Sequence, residues 1–200
     1  MKDQGKYQAL TYYQLMEVSL RELLVEKGLV TEQQVAAAVE DMRNRTPERG
    51  ARVVAHAWTH PQYKARLLEN GTKACEELGL DVPALKLVVV ENTPQVHNVI
   101  VCTLCSCYPR MLLGIPPDWY KSRNYRSRMV REPRAVLAEF GLKIPRQTRI
   151  RVHDSTADMR YLVLPMRPAG TRGWSEERLA ALVTRDSMIG VAVAKEPRSK

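Results

Sequence analysis

No run in this 200-residue chain comes near the roughly 20 consecutive apolar residues that a bilayer-spanning helix needs. The opening stretch, MKDQGKYQAL, is polar and has no apolar segment of the kind a secretory leader carries. Both absences argue against membrane or export and predict a cytoplasmic protein. Cysteine is scarce, with 4 residues, and in that compartment thiols stay reduced, which counts against a structural disulfide. Internal repeats and low-complexity tracts are missing too. So is any helix-turn-helix, zinc-finger or RNA-binding signature.

That last absence matters because the chain is basic, with a formal net charge of +9. Lys and Arg are densest between Lys121 and Arg151. Guanidinium groups at that density can meet phosphates, and Trp119, Tyr120 and Tyr125 could stack on bases. Without a recognition signature, no nucleic-acid partner is expected; a solvated face, or one meeting an acidic subunit, accounts for the charge. A hydrophobic share of 44% with 26% charged residues describes an ordinary globular protein. The length suffices for one core domain and an appended arm.

Periodicity divides the chain into a helical arm, 1–49, and an α+β domain, 50–200. Leu15, Val18, Leu20, Leu23 and Leu24 form a helical stripe that stops at Gly28. Thr31 and Gln34 have the spacing of a capping box and open a second helix through Val35 and Val39. A turn at Thr46–Gly50 marks the expected boundary. The two helices carry little apolar area of their own, so the arm is expected to pack on a partner chain, with Tyr12 and Tyr13 as interface aromatics. Further on, helices are predicted around Val53–Trp58, Pro61–Glu69, Thr72–Leu78, Tyr125–Phe140 (interrupted at Pro133) and Arg178–Val183 behind a Ser175 cap. Leu85–Val90, Val96–Val101, Arg149–Val152 and Tyr161–Pro165 read as strands.

Three of the four cysteines fall in Cys102-Thr103-Leu104-Cys105-Ser106-Cys107, directly after a predicted strand. Structural zinc needs four ligands; Cys75 or His97 could supply the fourth, but neither belongs to a second knuckle. The spacing matches no ferredoxin run. Cys75 reads more simply as a small buried apolar residue, and His97 as a strand histidine satisfying a backbone group. Cys105-Ser106-Cys107 also permits another geometry. The amide nitrogens of Ser106 and Cys107 lie between two sulfurs, so S, N, N and S can share a plane around a metal, with Cys102 as an axial thiolate and one position open. Ionising amides calls for a strongly polarising, trivalent ion. Such a site is a Lewis acid. The spacing permits this arrangement without forcing it over zinc.

The same residues resemble the metal claw of the nitrile hydratase family, in its metal-binding alpha subunit. The resemblance extends to Gly50–Trp58, Val90–Pro94, Pro116–Lys121, Tyr125–Arg128, Arg131–Arg134 and Leu182–Gly190. It implies a layered α/β domain and a chain that hydrates a nitrile to the amide. Cys102, Cys105 and Cys107 would bind metal through sulfur, and Ser106 and Cys107 through backbone nitrogen. Cys105 would be oxidised to sulfinate and Cys107 to sulfenate, making these two the catalytic candidates. Thr103 stands where cobalt members carry Thr and iron members Ser, which implies non-corrin Co³⁺, with Fe³⁺ the alternative. Implied partners are a beta-type subunit whose arginines complete the site, and a metallochaperone for cobalt. Arg126, Arg128 and Arg131 could instead hold the sulfinate locally, though surface or interface pairing suits them better.

Three positions depart from the family pattern. Arg110 replaces the Trp of Tyr-Pro-Trp, Pro83 stands where many members have Gln, and His153 where Trp is frequent. Arg110 is either a structural ion-pair residue or a substrate-pocket residue for a polar or anionic substrate. The second role suits nucleoside nitriles such as toyocamycin, or the metal subunit of thiocyanate hydrolase. From another class, a zinc-stabilised basic binding module stays open.

Overall fold

The computed structural model describes residues 10–82 and 86–197. Pro83 and Leu85 lie outside the described residues. The chain divides into two units between Asn44 and Arg45.

The first unit is a pair of helices, α1 (Tyr12–Glu26) and α2 (Glu32–Asn44). Capping boxes open both: Thr11 with Gln14, and Thr31 with Gln34, whose side chain accepts from the Thr31 amide at 2.8 Å. Neither helix has a buried residue among those described. Tyr12, Tyr13, Met16, Leu20, Leu23, Val39 and Met42 all remain exposed. Caps and local propensity therefore shape this unit, and almost no burial does.

The second unit opens with α3 (Pro47–Thr59). The expected turn at Thr46–Gly50 is instead the first turn of this helix. Pro47 sits at its N-terminal position, where a missing N–H costs nothing. Gly50 is buried there, and a Cβ at that position would lie 2.8 Å from the Met188 sulfur. Helices α4 (Pro61–Glu69) and α5 (Gly71–Glu77) follow. Strand β1 (Lys86–Glu91) pairs in parallel with β4 (Met159–Leu164), and β2 (Val96–Val101) with β3 (Arg149–Asp154). Parallel partners need long crossovers, and the one from β2 to β3 carries the cysteine loop and four helices. These are α6 (Arg110–Leu113), α7 (Asp118–Lys121), α8 (Arg123–Arg131) and α9 (Pro133–Glu139). Pro133 separates the last two, as its missing N–H requires. Helices α10 (Glu176–Ala180) and α11 (Arg185–Ile189) complete the α+β fold. The short helices α6, α7 and α11 have no periodicity to announce them; each spans little more than a turn.

The core gathers Val53, Val54 and Leu67 from α3 and α4, Val99–Val101 from β2, Leu162–Leu164 from β4, and Met188 and Ile189 from α11. Tyr125 is buried in the same layer and donates to Ile100 O at 2.7 Å, tying α8 to β2 just before the cysteine loop.

Candidate metal centre

Cys102 follows β2 at once and is fully buried. The register pairs Val101 with Asp154, and the Ser155 amide donates to Val101 O at 2.8 Å. The loop thus leaves the carboxyl end of a parallel pair, a common place for a ligand in α/β sheets. Asp154, brought alongside by that register, holds the loop's first turn: it accepts from the Thr103 amide at 2.9 Å and from Thr103 Oγ1 at 2.5 Å.

The three sulfurs converge. Cys105 Sγ lies 3.5 Å from Cys102 Sγ and 3.1 Å from Cys107 Sγ, and the Cys105 amide donates to Cys102 Sγ at 3.2 Å. Cys105 is exposed and Cys107 half-buried. With metal–thiolate bonds of about 2.3 Å, tetrahedral ligands sit about 3.8 Å apart and adjacent octahedral ligands about 3.2 Å apart. The 3.1 Å pair fits the octahedral spacing, and 3.5 Å lies between the two. The amides of Ser106 and Cys107 also face the Cys105 sulfur. Arg126 helps to hold the Ser106 amide there. Its Nη1 donates to Cys105 O at 2.6 Å, and across a trans peptide a carbonyl pulled one way turns the next N–H the other way. Tyr120, buried, fixes the far side by donating to Cys107 O at 2.9 Å.

The thiols titrate as a group. Hydrogen bonds from Cys107, then Cys102, lower the Cys105 thiol to about 7, with the two amides adding to the effect. Burial first, then the bond to Cys105, pushes the Cys107 thiol up to about 12. One thiolate is thus stabilised at the expense of its neighbour, as expected of sulfurs gathered for a cation.

Neither proposed fourth zinc ligand joins them. Cys75 is buried in α5, its thiol pushed up to about 12 chiefly by burial. His97 Nε2 lies 2.7 Å from Gly190 O, the backbone partner expected of it, and burial lowers its pKa. Among the described residues the cluster is Cys102, Cys105 and Cys107 alone. Arg128 pairs with Glu132 and Glu139, and Arg131 bonds Ser127, so of the three local arginines Arg126 is the one that reaches the loop. His153 bonds Asn98 at 2.8 Å and packs near Tyr161.

Arg110, the first residue of α6, does reach the site. It lines a cavity of about 370 Å³ together with Ser106, Cys107, Tyr108, Arg45 and Arg160. Arg160, on β4, is half-buried, and its charge works to lower the Cys107 pKa. Sequence reasoning missed Arg45, Arg160, Asp154 and Tyr120. Each lies far from the loop in the chain, and only the register and crossovers bring them in.

Asp154 is expected to be a positioning residue. In the Asp154→Ala protein the loop loses both Thr103 anchors, and metal affinity should fall by about 10- to 100-fold, the usual effect of losing an outer-shell partner. Asp154→Asn, which keeps one acceptor, should recover much of it. Equilibrium dialysis with metal analysis checks both, and unchanged affinity in the Ala variant would leave Asp154 without that role.

Three thiols on a C-x-x-C-x-C loop, at the carboxyl edge of a parallel pair, define a class of protein with a cysteine cluster able to hold a metal ion. The family profile described as "Nitrile hydratase, alpha chain" matches residues 11–192. The chain belongs to that family. It is 53% identical over 180 residues to the "Cobalt-containing nitrile hydratase subunit alpha" of Pseudonocardia thermophila, covering 88% of each chain. It is 45% identical over 195 residues to the "Thiocyanate hydrolase subunit gamma" of Thiobacillus thioparus, covering 92% of this chain and 80% of that one. Among solved structures, a thiocyanate hydrolase mutant superposes with a TM-score of 0.88 at 43% identity, covering 94% of this chain and 93% of that one. An Fe-type nitrile hydratase from Comamonas testosteroni Ni1 gives 0.85 at 49%, with 92% of each chain covered.

Proposed function

We propose that this chain is the metal-binding subunit of a cobalt nitrile hydratase, adding water across a C≡N bond to give the amide. The observation that carries the reading is the convergence of three sulfurs, with Cys105 Sγ 3.5 Å from Cys102 Sγ and 3.1 Å from Cys107 Sγ. Cys102, Cys105 and Cys107 would hold the ion through sulfur, and Ser106 and Cys107 through nitrogen. A Co³⁺ ion, or Fe³⁺ in its place, supplies a Lewis acid there. The cobalt-containing relative supports the first ion, and the Fe-type neighbour keeps the second in view.

The chain's own residues supply the rest. Cys107, lining the cavity, would carry the sulfenate oxygen that takes a proton from water or attacks the cyano carbon itself. Cys105 would carry the sulfinate. Buried sulfur oxyanions need cationic partners, and Arg160 is placed to provide one beside those of a beta-type subunit. The exposed apolar residues of α1 and α2 suit an arm that packs on that subunit, while the second unit, from Arg45 on, carries the claw. A metallochaperone would deliver the cobalt.

A second reading has its own observation. Arg45, Arg110 and Arg160 converge on the cavity, which suits an anion such as thiocyanate, or a polar nucleoside nitrile. Metal analysis and mass spectrometry test the shared part: about one cobalt or iron per chain and a gain of about three oxygens are expected. One Zn²⁺ with unmodified thiols would overturn both readings. Arg110→Trp tests the difference, in the partner-bound enzyme assayed on an aliphatic nitrile, toyocamycin and thiocyanate. Preference should move toward the aliphatic nitrile by about tenfold or more. An unmoved preference makes Arg110 structural.

A further inference from the structure

A second cluster of metal-ligating side chains lies on other elements. His56 lies in the last turn of α3 and His60 is the extended residue that caps it, and Glu176 opens α10 opposite them. His56 Nδ1 lies 3.0 and 3.1 Å from the two Glu176 oxygens, and His60 Nδ1 lies 3.2 Å from Oε1. One ligand atom from each residue falls within 4.8 Å of the other two. The imidazoles stack at 4.0 Å with 24° between their planes, and both Nδ1 atoms address one carboxylate.

The arrangement is held in place. The His56 ring meets the edge of Tyr63 at 4.6 Å. Tyr63 is itself buried and locked by a 3.0 Å bond from its hydroxyl to Ala74 O. Thr59 Oγ1 donates to Glu176 Oε1 at 3.0 Å, orienting the carboxylate from behind as an outer-shell partner does. The exposures of His56, His60 and Glu176, 24%, 51% and 38%, leave the set open to solvent.

We infer that His56, His60 and Glu176 form a binding site for a divalent transition-metal ion such as Zn²⁺, separate from the cysteine claw. Two imidazoles and one carboxylate are the ligand set of open, three-ligand zinc sites. With metal–ligand bonds of about 2.1 Å, neighbouring ligand atoms sit about 3.4 Å apart, so the imidazole–carboxylate spacings need open by only a few tenths of an ångström, and the stacked rings must splay to aim both lone pairs at one ion. The ion would take the Nδ1 lone pairs in place of these hydrogen bonds, each neutral imidazole then carrying its proton on Nε2. The bound ion would clip α10 to α3 more firmly than the hydrogen bonds do.

The test uses the full chain with its claw already loaded with cobalt, so that no thiol competes. Zn²⁺ is titrated in and followed by long-range ¹H–¹⁵N spectra of the 4 histidines and by equilibrium dialysis. One further Zn²⁺ per chain is expected, with the His56 and His60 ring signals shifting while those of His97 and His153 stay. His60→Ala, at an exposed position, and Glu176→Gln should each weaken binding by at least about tenfold. The cobalt content of the claw should not change in either. No bound Zn²⁺, or an affinity unchanged from the parent chain in both variants, would overturn the site and leave these residues an ion pair between two helices. The claw proposal stands or falls separately, on its own metal content.

Discussion

Cys107→Ala should leave a folded chain that no longer holds its claw metal and hydrates nothing. The side chain supplies one of three sulfurs, and its thiol lies on the cavity that Arg110 and Arg160 share. Losing a ligand costs more than losing an outer-shell partner, so cobalt occupancy should drop to background and the hydration rate by at least about a thousandfold. Stability should barely move. Cys107 is half-exposed on a loop, and the Tyr120 bond that anchors it goes to the backbone carbonyl, which alanine keeps. Metal analysis, activity and a melting curve on the same preparation separate these effects. Cys75→Ala, deep in α5, is the control: it should retain full metal and rate while losing some stability through the space it leaves. Full cobalt in the Cys107→Ala protein would show that the loop is not the claw.

The second large effect concerns folding. Gly190 ends α11 in the left-handed region, at φ +94°. A Cβ there would stand 2.1 Å from Asn98 O and 2.8 Å from Val99 Cα, both backbone atoms of β2. No side chain can move aside to relieve that contact. Gly190→Ala should therefore cost about 3–5 kcal/mol, the strained backbone conformation plus displacement of a core strand. For a chain of this size the melting temperature should fall by on the order of 10 °C. The bond between His97 and Gly190 O is lost with it. Gly141→Ala makes the comparison: its φ is +81°, but nothing lies within 4 Å of the added Cβ, so about 1 kcal/mol is expected. Equal losses in the two variants would mean that conformation, and not the close approach to β2, sets the cost.

Gly190 also shows where local reasoning stops. The glycine lies in a stretch that resembles family sequence, yet its reason for being glycine is a strand more than ninety positions earlier. The Pro133 interruption, the Thr31 capping box and the Ser175 cap were legible because each depends on residues within one turn. The start of α3 was misread for a related reason. Thr-Pro-Glu-Arg-Gly has the composition of a turn, but Pro at the first helical position and a glycine required by Met188 produce a helix. Buried neighbours decided it, and they are not local.

The cysteine loop belongs to both sides of this division. Covalent spacing alone places two amide nitrogens between the sulfurs of Cys105 and Cys107, so a possible donor set could be read from six letters. What the letters could not decide is whether the Ser106 amide faces the sulfurs, because that depends on where Cys105 O is drawn. Arg126, on a helix, draws it, and Asp154, set beside the loop by the parallel register of β2 and β3, holds the other end. Spacing along a chain limits which atoms can meet. Which of them do meet is decided by crossovers and strand register, since these bring residues twenty to fifty positions apart within hydrogen-bonding distance of the loop.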